Sequence, residues 1–191
     1  MNILPALYSL PREILSPSTN VDFLYFFACN KPAVRVRIQQ RNDLVKLADW
    51  CGEYGFAFQV DDENYVCVAR DIELARMILL LDGSAEPHES TLGSLLGYPP
   101  CCCNFISNIG EANIDTLAAE AATWSFVGRF RLINPTGYIE GKSLICHLPC
   151  SPKCMASLHL AERALNFIKA NIHEQFFSPW LFWLKTNLEV E

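Results

Sequence analysis

Basic residues are scarce and scattered. The 15 Lys and Arg are outnumbered by 21 Asp and Glu, leaving a net charge of −6, and no Lys/Arg run interrupts the chain. That balance excludes a broad phosphate-binding face, so no nucleic-acid partner is expected. Long apolar runs are also missing. Runs such as residues 77–81 and 180–184 fall far short of a membrane span, and no membrane partner is expected either. The N-terminal stretch lacks a basic flank and is broken by Pro5 and Pro11, a poor secretory signal. The expectation is a cytoplasmic protein. Charged residues make up 19% of the chain and hydrophobic ones 51%, which excludes a wholly disordered polypeptide and predicts a sizeable core.

Several catalytic signatures are absent as well. Gly93 and Gly97 are not followed by the Lys-Ser/Thr of a phosphate loop, and the acids at 61–63 are too few for a calcium loop. Neither Gly-x-Ser-x-Gly nor His-Glu-x-x-His occurs. His88, His159 and His173 stand alone and read as solvated or packing residues. Arg129 and Arg131 read as a solvated face.

What the chain does hold is cysteine: nine, an odd number. In a reducing compartment they are core residues, metal ligands or catalytic thiols rather than a disulfide frame. Cys29, Cys51 and Cys67 fall on predicted apolar faces and are assigned to the core. Five others are clustered: Cys101, Cys102 and Cys103 after a Tyr-Pro-Pro turn, and Cys150 and Cys154 three and seven residues after His147.

The pattern predicts an α+β protein. Residues 1–32, with four prolines, read as irregular apart from a short helix at 21–28. Residues 33–91 read as an α+β unit. Val34, Val36 and Ile38 alternate with polar residues as in a half-buried strand. A helix from Asn42 to Gly55 follows, then strands at 56–60 and 65–69, then a helix capped by Asp71. This βαββα order matches a small ferredoxin-like unit, for which residues 143–148 would supply a fourth strand. Residues 92–175 read as a mainly helical unit with the Cys/His site, including helices at 114–130 and from Ser151 onward. Residues 176–191 form an aromatic tail, suited to folding over the core or to contact with a partner or a second copy.

Both cysteine segments place thiols where a Pro-containing turn enters a helix. Unpaired first-turn N–H groups and the helix dipole there favour thiolate. First-turn side chains also lean back toward the helix start, so two such starts face to face would converge their sulfurs. His147 shares that neighbourhood, and His-x-x-Cys-x-x-x-Cys suits a soft metal. Ribbon and finger spacings are excluded, because no Cys-x-x-Cys pair exists.

The segments Leu96-Gly97-Tyr98-Pro99-Pro100-Cys101-Cys102 and His147-Leu148-Pro149-Cys150-Ser151-Pro152-Lys153-Cys154 resemble a family of small microbial proteins grouped as a domain of unknown function. The resemblance covers about residues 92–165 well and the first half loosely. It implies that Cys101, Cys102, His147, Cys150 and Cys154 form the motif, with Cys103 outside it, and it carries no activity.

Four motif cysteines match the ligand count of a [4Fe–4S] cluster, around which adjacent Cys101 and Cys102 can diverge. His147 would then be a supporting donor or an alternative ligand. Zinc ranks next, and metal-free thiol chemistry third. Two functions follow: redox, sulfur or Lewis-acid chemistry on a small molecule or peptide, or a structural metal site in a non-enzymatic accessory or binding protein. An open coordination position favours the first and a closed one the second.

Overall fold

The alternation at the start of the second unit forms a strand, β1 (Ala33–Arg37), in a computed structural model that describes residues 3–28, 31–84, 88–110, 113–121 and 123–171. Two further strands, β2 (Ala57–Val60) and β3 (Tyr65–Ala69), complete an antiparallel sheet in the order β1-β3-β2. Ala69 sits opposite both Ala33 and Ala57. Between β1 and β2 runs α3 (Arg41–Tyr54), which ends at Gly55 in the left-handed region, φ 70°, where glycine avoids a Cβ penalty. After β3 comes α4 (Ile72–Asp82), capped by Asp71 accepting from the Glu73 and Leu74 amides at 3.0 Å.

The elements follow the expected order, but the ferredoxin-like packing is absent. Val34, Val36, Val66 and Val68 cluster with Leu47, Trp50 and Cys51 of α3. The alternate residues Ala33, Cys67 and Ala69 cluster with Ala75 and Ile78 of α4. With side chains alternating across a strand, the two helices therefore cover opposite faces of the sheet rather than one. Nor does 143–148 add a strand. Leu144, Ile145 and Cys146 are buried in succession, with none of the alternation a strand would show. One local and one long-range bond hold this segment instead: Ser143 Oγ accepts from the Ile145 amide, and the Leu144 carbonyl accepts from the Tyr25 hydroxyl.

The N-terminal segment also departs from expectation. It holds α1 (Leu4–Tyr8), a 3-10 turn at Arg12–Ile14 and α2 (Pro17–Ala28). Ser16 Oγ accepts from the Thr19 amide at the start of α2, and Pro17 fits a position where no N–H is needed. Every residue from 21 to 27 is buried. A helix buried on all sides carries no amphipathic stripe, which is why periodicity underestimates it. Its rings meet α3 edge-on, with Phe23 and Trp50 centroids 5.7 Å apart.

The second half comprises α5 (Glu89–Leu95), α6 (Pro100–Ile109), α7 (Ile114–Ala121), 3-10 turns at Gly128–Ile133 and Pro135–Gly137, and α8 (Met155–Asn171). The helix expected over 114–130 stops at Ala121, and Gly128 has φ 55°, which an α-helix cannot pass through. The last helix opens at Met155, not at Ser151, because 151–153 form a turn. One core joins the three segments, with α2, the valines of the sheet, Leu144, Leu158 and Ile168 in the same cluster. The aromatic tail and Cys29 lie outside the described residues. Among those residues, no helix is long and apolar enough to cross a membrane.

Candidate metal centre

The approach to α6 is set by one glycine. Gly97 has φ 80°, and a Cβ there would stand 2.6 Å from Pro32 Cδ. The chain turns at this point, the extended Pro99 follows, and its carbonyl accepts from the Cys102 and Cys103 amides at 2.9 and 3.0 Å. Cys101 and Cys102 thus occupy the first helical turn. Cys154 directly precedes α8, and the Leu158 amide donates to its carbonyl at 3.0 Å. Cys150 lies in the turn before it.

These four residues bring their sulfurs together, all within 4.8 Å of one another. Cys101 Sγ lies 3.9 Å from Cys102 Sγ and 3.7 Å from Cys154 Sγ, and Cys102 Sγ lies 3.7 Å from Cys154 Sγ. Adjacent Cys101 and Cys102 therefore converge, despite the divergence expected of neighbours. Cys102 and Cys154 are buried, Cys150 is half-buried and Cys101 is exposed. The eight described cysteines are all free thiols.

His147 stands just outside the four sulfurs. Its Nε2 is 2.8 Å from Ser157 Oγ. That hydroxyl lies 3.3 Å from Cys154 Sγ and 3.4 Å from Cys102 Sγ. The imidazole is thus one hydroxyl removed from the sulfurs, because Ser157, three residues into α8, fills the space between. Burial, reinforced by the positive charge of Lys31, drives the His147 pKa down to about 3, so the ring is neutral. Its face lies against Tyr98, with centroids 5.4 Å apart and planes 30° from parallel. Cys103 points elsewhere, its thiol donating to the Tyr98 carbonyl at 3.6 Å.

Cys154 is the activated thiol. Burial opposes its ionisation, but hydrogen bonds from the Ser157 hydroxyl and amide and from Cys150 and Cys101 outweigh it, lowering the pKa to about 7. Cys150 moves the other way, to about 12, through burial and its neighbours Cys154 and Cys101. Burial also raises Cys102. A metal must displace the remaining protons as it binds.

Sequence reasoning did not single out Ser157. Its signal is the Cys154-x-x-Ser157 spacing, that of a helix cap with the third residue of the helix. Another unforeseen group lies behind Tyr98. Buried Lys31 pairs with buried Asp22, lies 4.9 Å from the Tyr98 ring centre, and donates to Cys146 Sγ at 3.7 Å. The Tyr138 hydroxyl donates to the second Asp22 oxygen at 2.7 Å. Burial opposes the Lys31 charge, yet Asp22 and the surrounding groups prevail and hold it firmly protonated.

Compared with known protein families, curated proteins and solved structures, the chain gives no significant match.

Proposed function

We propose that the chain holds a single tetrahedral zinc ion on Cys101, Cys102, Cys150 and Cys154, and that this closed site fastens the start of α6 to the start of α8. The carrying observation is the spacing of the sulfurs. Four ligands about 2.3 Å from one ion form a tetrahedron with edges of about 3.8 Å. Three Sγ pairs measure 3.7 to 3.9 Å. A [4Fe–4S] cluster, whose four irons each take one thiolate, spreads its ligands more widely, so the spacing reverses the order of preference drawn from ligand count alone. With all four positions supplied by protein, the site suits a structural role in an accessory or binding protein. This reading fits membership of the cysteine-rich family that the two motifs resemble, and a cytoplasmic setting where thiols stay reduced.

Metal and sulfide analysis of anaerobically purified protein tests the proposal. The expected result is a colourless protein with one zinc per chain and no acid-labile sulfide. Brown protein with iron and sulfide in near-equal amounts would overturn it in favour of the cluster. A red protein with one iron and no sulfide would keep the geometry and replace the metal, since a tetrahedral four-sulfur set also accepts iron.

A further inference from the structure

The four sulfurs differ in their access to solvent. Cys101 is exposed, Cys150 is half-buried, and Cys102 and Cys154 are buried. A dissolved oxidant therefore meets the Cys101 sulfur first, since thiol oxidation follows exposure and thiolate character. Cys154 Sγ lies 3.7 Å from that sulfur and Cys102 Sγ lies 3.9 Å from it. These two neighbours are not equivalent as partners. Cys101 and Cys102 are consecutive, so the peptide bond between them holds their Cα atoms about 3.8 Å apart, closer than the usual disulfide minimum of about 4.4 Å. Cys154 belongs to another segment and escapes that constraint. Cys103 is turned away, its thiol donating to the Tyr98 carbonyl.

We infer that Cys101 and Cys154 form a peroxide-responsive switch, in which oxidation joins their two sulfurs and releases the metal. The inference rests on the zinc reading above and adds a regulation to it. In the first step the Cys101 thiolate attacks one oxygen of hydrogen peroxide. The O–O bond breaks, leaving a sulfenic acid on Cys101 and a hydroxide. In the second step the Cys154 thiolate attacks the Cys101 sulfur, the S–S bond forms, and a second hydroxide departs. The two sulfurs together lose two electrons, the peroxide gains them, and two protons from solvent turn the hydroxides into water. Cys102 and Cys150 remain as thiolates, two ligands where structural zinc takes four.

The clasp changes chemistry and does not open. Cys101 lies in the first turn of α6 and Cys154 directly precedes α8, so the new bond ties the same two helix starts that the metal ties. It closes a loop through residues 102–153, and a cross-link of that kind restricts the unfolded chain.

Treatment of the protein as purified with hydrogen peroxide tests this, read by a zinc-binding dye, by peptide mapping and by thermal melting. One zinc per chain should be released as one disulfide forms. Mapping should find it between Cys101 and Cys154, with Cys102 and Cys150 still open to alkylation. Trypsin cuts after Lys153 and so separates Cys150 from Cys154, while fragmentation tells Cys101 from Cys102 and Cys103. The oxidised chain should melt well above the reduced chain stripped of metal by a chelator, and a phosphine reductant with added zinc should restore the starting form. Any of four results overturns the inference: no disulfide, a disulfide to Cys150 or between another pair, Cys101 oxidised to sulfinic acid without a partner, or an oxidised chain that melts with the stripped one. Protein purified without zinc would defeat the zinc reading instead, and the disulfide map of that same protein would still decide whether Cys101 pairs with Cys154.

Discussion

Ser157 is fully buried, and its hydroxyl touches both Cys102 and Cys154 as well as His147. A hydroxyl in that position stabilises thiolate and orients its neighbours, and such supporting groups are typically worth about 10–100-fold in metal affinity. Ser157→Ala should therefore weaken metal binding by about tenfold or more, read by competition with a chromophoric chelator, and an unchanged affinity would show that the hydroxyl only packs. His147 gives a second prediction. Its folded-state pKa of about 3 lies below the ordinary 6.5, so on acidification the unfolded chain takes up a proton that the folded chain refuses. The stability linked to this group is complete above about pH 6.5 and is lost as pH falls toward 3. The His147 ring nitrogens should keep neutral-imidazole shifts from about pH 8 down to about pH 5, and an ordinary titration near 6.5 would contradict the burial argument.

At the scale of elements, the site depends on how two helices begin. Cys101→Ala or Cys154→Ala should release metal and lower the melting temperature together, because metal binding and the joining of α6 to α8 are one equilibrium. Cys51 is fully buried in α3, away from the four sulfurs. Cys51→Ala should cost about 1–2 kcal/mol with metal content intact. Full metal content in Cys101→Ala would show that the ligand set is wrong. The turn ahead of α6 is equally exacting. At φ 80° and with a Cβ 2.6 Å from Pro32 Cδ, Gly97→Ala should cost about 1–3 kcal/mol by chemical denaturation and weaken metal binding, because it displaces the helix start that carries two ligands.

Across the whole molecule, the Asp22–Lys31 pair links α2 to the chain entering β1, with Tyr138 and Tyr98 reaching it from the second half. Both side chains are almost wholly buried, at 8% and 3% exposure. Removing one partner of such a pair leaves an uncompensated charge inside the protein. Lys31→Met should cost about 3–5 kcal/mol, whereas Asp22→Leu combined with Lys31→Met should recover much of that loss, because neither charge remains. Denaturant melts of the single and double variants check this. A double variant as unstable as the single one would mean that Asp22 acts mainly through Tyr138.

The elements that local chemistry alone dictates were legible from the residues. The alternation at Val34 and Val36, the Asp71 cap and the Gly55 terminus each act within a few residues of themselves, and each appears where its pattern places it. The placing of Cys101 and Cys102 at a helix start was legible for a similar reason, since helix starts orient first-turn side chains whatever surrounds them, whereas Cys150 and Cys154 lie ahead of α8 rather than in its first turn. Three features required tertiary structure. The burial of α2 left no amphipathic stripe to read. The segment 143–148 owes its path to Tyr25 and Asn134, partners distant in sequence, rather than to its own alternation. The sulfur-to-sulfur distances that separate one ion from a cluster depend on how closely α6 and α8 approach. Sequence sets which atoms can bind a metal, through residue type and local backbone. The packing of distant helices sets the space between those atoms.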